Sequence, residues 1–187
     1  MEKVRAFIGF FTTRRVQEAA ERIRREATPK LNGKWVEPHN LHLTFQFLGE
    51  VSRPQLIDVI KALQEVARSF APFTITYKGL GVFPDARKAR VLWMGVSKGA
   101  NRLKALAKEI ERKNARYGIK PSSKAFVPHV TLCRLKSYDR KTLNHLMTKY
   151  RSVEFAEEEV NKLALVSSTL TAVGPVYSIV EEFYLEG

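Results

Sequence analysis

Cysteine is nearly absent from this sequence: Cys133 stands alone, so neither an internal disulfide nor a cysteine-based zinc site can form. Long hydrophobic runs are missing too. No apolar stretch approaches the roughly 18 residues that a membrane-spanning helix needs, so no membrane association is expected. Residues 1–11 carry no small-residue cleavage site of the signal-peptide kind and are expected to be mature structure. Neither a low-complexity segment nor a linker-like stretch divides the chain. The expectation is a cytoplasmic, monomeric protein whose residues 1–187 form one two-lobed domain. Acidic residues are also short: 19 Asp and Glu face 32 Lys and Arg, a net charge of +13. Residues 151–187 hold two basic residues against seven Glu, so residues 1–150 carry +18. Such an excess suits a polyanion such as nucleic acid better than an acidic protein partner. A soluble or heat-adapted surface would give the same count. Charge names no reaction.

What is present is a real core and a regular alternation of elements. Apolar residues make up 44% of the chain and aromatics 10%, enough to exclude a disordered polymer. The run Val4 to Phe11 has strand length and density. Residues 14–27 place Val16, Ala19, Ala20, Ile23 and Ala27 at helical spacing. Residues 35–38 and 41–49 are expected to be strands. Ser52, Pro54 and Gln55 then make a helix start with the pattern of a capping box. Strands follow over 73–83 and 91–96, and a helix bearing Leu103, Leu106, Ala107 and Ile110 ends at Gly118. Another strand is expected over 126–135, a short helix capped by Asp139, and two last strands near 159–170 and 177–185. The mixture is α+β: two pseudo-symmetric lobes of antiparallel sheet, helices on the outer faces, and a central cleft.

The two lobes are inferred from an internal echo. Trp35-Val36-Glu37-Pro38 leads to Leu41-His42-Leu43-Thr44, and Phe126-Val127-Pro128 leads to His129-Val130-Thr131. In a strand, residues i and i+2 share a face. His42 and Thr44 therefore point one way and their apolar neighbours the other, and His129 with Thr131 repeats this. Each unit offers an imidazole that titrates near neutrality and a hydroxyl able to bind a phosphate oxygen. Across a two-fold axis the pair would flank one phosphorus. One histidine would take a proton from water while the other protonates the leaving oxygen, each contributing about 10² to 10⁴ in rate. The threonines would hold the equatorial oxygens as charge builds. A lone histidine in a strand is usually structural. Here two of only four histidines are followed by Thr at +2, although Thr is 11 of 187 residues.

His42-Leu43-Thr44-Phe45 and His129-Val130-Thr131-Leu132 resemble the paired signature of the two-histidine phosphoesterase superfamily. Asn40 to Phe45 with Phe47-Leu48-Gly49-Glu50-Val51 resembles, more narrowly, the RNA 2′,3′-cyclic phosphodiesterases, also called LigT-type 2′-5′ RNA ligases. Arg5 to Ile8, Gly79 to Pro84 and Leu165 to Ser168 fit the same group, so the resemblance covers nearly the whole chain. It implies hydrolysis of an RNA 2′,3′-cyclic phosphate to a 2′-monoester, with no metal and no other cofactor; some members join tRNA halves through a 2′-5′ bond. Carried over residue by residue, it makes His42 the proton donor and His129 the proton acceptor, and Thr44 and Thr131 the phosphate binders. Arg134 would support the phosphate. Strict alternation puts Arg134 on the face opposite His129, so this role requires a bulge or a strand end.

Other residues carry less. His39 is three before His42, on the opposite face of a continuous strand and without a carboxylate at useful spacing, so a metal site is not expected. His145 belongs to a polar helix face. Cys133 shares the face of His129 and Thr131 if the strand is regular, yet a packed, inert thiol is the simpler expectation. Phe45, Phe47, Phe83 and Tyr138 are candidates for stacking on bases. The basic loops 87–90 and 120–124 are candidates for contacting RNA phosphates. The alternatives are a cyclic phosphodiesterase for small nucleotides, ADP-ribose cyclic phosphate or 2′-5′ oligonucleotides, and a non-catalytic RNA-end binder.

Overall fold

The apolar run that opens the chain becomes a central strand covered on both faces. In a computed structural model, which describes residues 2–187, the order is β1 (Lys3–Phe11), α1 (Arg14–Ala27), β2 (Leu31–Trp35), a 3-10 turn at Pro38–Asn40 and β3 (His42–Ser52). There follow α2 (Arg53–Ser69), β4 (Phe73–Phe83), β5 (Val91–Val96), α3 (Ala100–Ala115), β6 (His129–Tyr138) and α4 (Arg140–Lys149). The chain closes with β7 (Glu154–Val160), β8 (Lys162–Thr171) and β9 (Gly174–Tyr184). The α+β expectation is met, and the strand pairings are antiparallel.

The sheet runs β7-β4-β5-β6-β3-β1-β8-β9, with β2 added against β6. Read from its centre, each half repeats the other: β6-β5-β4-β7 matches β3-β1-β8-β9. The helices cover one face. Val16, Ile23, Val59, Leu63, Leu103 and Leu106 are buried there against Ile8, Leu43, Met94 and Val130. The other face carries His42 and His129. Helix α2 starts where the capping pattern placed it: Ser52 Oγ accepts from Gln55 N–H and the Gln55 side chain accepts from Ser52 N–H. Asp139 likewise caps α4 through Thr142 N–H.

Three boundaries differ from expectation. The strand expected over 35–38 lies earlier, at Leu31–Trp35, because Pro38 opens the 3-10 turn. The strand expected from Phe126 begins at His129, since Pro128 has no N–H to give a ladder. Strand β7, Glu154–Val160, was not expected as a separate element because four of its seven residues are glutamate, a poor strand former. It forms at the sheet edge, where Glu154, Glu157 and Glu159 reach solvent while Ala156 and Val160 are buried.

β1 and β3 approach closely beside the future site. A Cβ on Gly9 would sit 2.1 Å from the Leu43 carbonyl oxygen, an overlap that backbone alone cannot absorb. Gly9→Ala is expected to cost about 1–3 kcal/mol, read as a lower denaturant midpoint at unchanged slope.

Candidate active site

β3 and β6 touch at one register pair, Leu43 opposite Val130. Both side chains are fully buried on the helix side. In an antiparallel ladder that register sets His42 opposite Thr131 and Thr44 opposite His129, all four on the other face. Directly opposite Cβ atoms stand about 5 Å apart and diagonal neighbours about 7–8 Å. His42 and His129 are the diagonal pair, a spacing that accommodates one phosphoryl group hydrogen-bonded on two sides. The four side chains line a single cavity of about 190 Å³, together with Arg134.

Both strands carry a bulge at the same place. Ile8 pairs with Gln46 and Gly9 with Thr44, so Phe45 is the extra residue of β3. Leu92 pairs with Cys133 and Trp93 with Thr131, so Leu132 is the extra residue of β6. A bulge reverses the alternation beyond it. It sends Gln46 and Cys133 into the interior and returns Phe47 and Arg134 to the cleft. This supplies the bulge that Arg134 required. It also corrects the expectation that Cys133 shares the face of His129. The thiol packs with Ala27, Leu31, Leu92 and Leu143, and burial pushes it up to about 12.

The two imidazoles are held identically. His42 Nδ1 is 2.6 Å from the Asn40 carbonyl and His129 Nδ1 is 2.6 Å from the Val127 carbonyl. A carbonyl only accepts, so each Nδ1 carries a proton and each Nε2 is left to the cleft. Burial lowers the pKa of both histidines, and the nearby Arg134 charge adds to this; His42 also feels His129. The aromatic surroundings differ. Phe7 stacks on His42 at 4.7 Å and 25°, with the Tyr177 ring edge-on at 5.2 Å. Phe83 meets His129 edge-on at 5.0 Å, and Trp93 lies tilted at 5.9 Å.

A larger groove of about 1020 Å³ opens beside His129 and also reaches Thr44, Thr131 and Arg134, while His42 is outside it. Lys88, Arg90, Lys120, Lys124 and Arg134 face it against one carboxylate, Glu111. Both basic loops singled out in the sequence therefore reach it. Of the four aromatic candidates, Phe47 is 69% exposed and lines both cavities, and Phe83 lines the groove. Phe45 borders the groove as well but is buried against Phe10 and Phe126. Tyr138 is tied elsewhere, its hydroxyl accepting from Ala89 N–H. His145 is exposed on α4. Among the described residues no group of three or more His, Cys, Asp and Glu could hold a metal ion. Sequence reasoning missed Phe7 and Tyr177, which resemble ordinary strand core and reach His42 only through the pairing of β1, β8 and β9.

The family model described as LigT like Phosphoesterase matches twice, over residues 11–93 and 95–177, and each match holds one of the two His-x-Thr pairs. A protein of Aquifex aeolicus named RNA 2′,3′-cyclic phosphodiesterase is 63% identical over 188 residues, covering 100% of both chains. One of the same name from Methanocaldococcus jannaschii is 37% identical over 156 residues, 82% of this chain and 86% of that one. Among solved structures, TT0787 of Thermus thermophilus superposes with a TM-score of 0.83 at 32% identity and covers 98% of each chain. Escherichia coli LigT complexed with 3′-AMP shares the fold, with a TM-score of 0.80 at 24% identity over 100% of both chains. With two family matches spanning most of its length, the chain belongs to the LigT-like phosphoesterases.

Proposed function

We propose that this protein hydrolyses the 2′,3′-cyclic phosphate at an RNA 3′ end to a 2′-monoester, without a metal ion. The observation that carries the reading is the pair of Nε2 atoms facing one cavity with two threonines between them. His129 takes a proton from water, and His42 gives one to the departing 3′ oxygen. Thr44, Thr131 and Arg134 bind the non-bridging oxygens, where negative charge grows. The site lies at the junction of the halves, so residues 1–187 act as one two-lobed catalytic domain. All its residues come from one chain, so a monomer suffices. A cytoplasmic location fits the single buried cysteine.

The proposed axis of displacement runs from His129 to His42, which places the ribose on the His42 side. There the smaller cavity is lined by Trp35, Asn40, Pro175 and Tyr177, which would border the terminal nucleoside. Exposed Phe47 offers a stacking face for a base. The basic groove takes phosphates of the RNA chain, tRNA fragments included. Because it borders His129 and not His42, it also suits a second strand whose 5′ hydroxyl replaces water, which would give 2′-5′ ligation. Mixing cyclic-phosphate RNA with 5′-hydroxyl RNA tests this: a 2′-5′ linked product supports the ligation reading, and monoester alone removes it.

His42→Ala and His129→Ala should each lower kcat at least about 100-fold with folding intact, and EDTA should leave activity unchanged. Normal rates in either variant, or loss of activity in chelator, would refute the mechanism.

The pH dependence follows from burial. His129 must be neutral and His42 protonated, and the pKa of each lies below the ordinary 6.5. The bell of kcat/KM should therefore centre on the acid side of 6.5. A bound phosphate anion favours the His42 imidazolium, so the alkaline limb of kcat should lie at higher pH than that of kcat/KM.

In the groove, Lys120→Ala with Lys124→Ala should flatten the dependence of log KM on log salt by about 0.7 per lost contact for an oligonucleotide. A mononucleotide cyclic phosphate should show no such change.

A further inference from the structure

The tetrad is symmetric, and in-line displacement is not: one histidine must start as base and the other as acid. Nδ1 hydrogen bonding does not distinguish them, since both donate to a backbone carbonyl two residues earlier at the same distance. Arg134 acts on both. The surrounding rings differ. His42 lies over the face of Phe7, 4.7 Å between centroids and 25° from parallel. On His129 the nearest ring, Phe83, stands perpendicular at 89° and 5.0 Å instead of stacking. A ring face is negative and its edge positive, so a face attracts an imidazolium and an edge does not.

We propose that Phe7 is a positioning residue that makes His42 the proton donor, by holding an aromatic face against its imidazole. The direction of proton flow rests on the phosphodiesterase reading above. The geometry does not. Phe7 is only 3% exposed and cannot turn away. It is fixed by Ala164 and Val166 beneath and by the edge-on Tyr177 ring at 5.3 Å. Regular alternation along β1 supplies the phase: Ala6, Ile8 and Phe10 pack with the helix-side core while Phe7 packs in the cluster on the cleft side. The charged and titratable groups around His42 are His129 and Arg134 from β6, Tyr177 from β9, and Lys34 and Glu37 from β2 and the segment after it. Glu37 is the one carboxylate lining that cavity, and the cations oppose a protonated His42. The Asn40 carbonyl favours the His42 imidazolium as the Val127 carbonyl favours that of His129, so the stacked Phe7 face is a contact that His42 has and His129 lacks.

The test is NMR titration of both imidazoles in the ligand-free protein, with the pH profile of kcat beside it. Replacing Phe7 by pentafluorophenylalanine keeps its shape and reverses the sign of its face. His42 should lose roughly two- to fivefold in proton affinity, His129 should not move, and the alkaline limb of kcat should shift to lower pH. Phe7→Tyr, which keeps the face, should titrate as the parent does. Tyr177→Phe, which removes a hydroxyl and keeps the ring, should also leave His42 unmoved. Equal shifts at both histidines would mark a loosened cleft and overturn the proposal, as would a shift at His129 alone or none at either. The titration needs no substrate, so failure to hydrolyse cyclic-phosphate RNA would defeat the functional reading and leave this result standing.

Discussion

One backbone pairing decides what the catalytic face looks like: Leu43 against Val130. It is the seam between the two four-stranded halves, and the register there sets which residues are neighbours across it. The pairing is anchored from the helix side. Leu43 and Val130 are both fully buried, and burying a side chain of that kind stabilises by about 1.5–3 kcal/mol. A one-residue slip of either strand would drive its histidine into the core and its apolar neighbour toward water. The same hydrophobic energy that holds the halves together therefore specifies the positions of His42, Thr44, His129 and Thr131. The core and the site are two faces of one ladder.

The paired bulges extend this logic by one turn of the pleat. Without them, Gln46 and Cys133 would face the cleft, and Phe47 and Arg134 would be buried. A bulge at Phe45 and another at Leu132 exchange these assignments in both halves. The interior absorbs two consecutive inward residues on each strand. Gln46, turned inward, accepts a hydrogen bond from Asn114 of α3 at 2.9 Å, whereas Cys133 meets only apolar neighbours. Equivalent bulges on the two strands are what a duplicated unit would leave, and each of the two family matches contains one bulged His-x-Thr strand.

How much of this was legible in the sequence differs residue by residue. The His-x-Thr pairs were, because period-two alternation is local and their apolar partners are strong strand formers. Helix α2 was legible from its capping box, and the α+β class from the order of elements. The inward turn of Cys133 was not, since a bulge is defined by the partner strand and leaves no mark of its own at Leu132. Strand β7 was hidden for a related reason. Its glutamates argue against a strand, yet pairing with β4 and solvent at the edge satisfy them, and Glu158 turns inward to accept from Tyr77 and from Thr13 N–H. Phe7 was visible only as part of a hydrophobic run. Nothing in its spacing says that β3 will lay an imidazole on it.

The asymmetry of the site is therefore a product of tertiary structure laid over a repeated sequence. Duplication supplies two equivalent histidines with equivalent tautomers, and a symmetric pair has no preferred direction for moving a proton. Direction has to come from positions where the halves diverged. There are three on the cleft face. Phe47 stands where the other half has Arg134, so the cleft is lined by an apolar surface at one position and by a cation at the other. A ring stacks on His42, where His129 meets its nearest ring at a right angle. His42 lines only the shared cavity of about 190 Å³, whereas His129 also borders the cation-lined groove of about 1020 Å³. In the proposed hydrolysis, each difference suits a nucleophile arriving from the open, basic side and a nucleoside held on the aromatic side. They need not have agreed, since they arise on different strands and loops. Their agreement gives a two-fold scaffold a single direction of reaction.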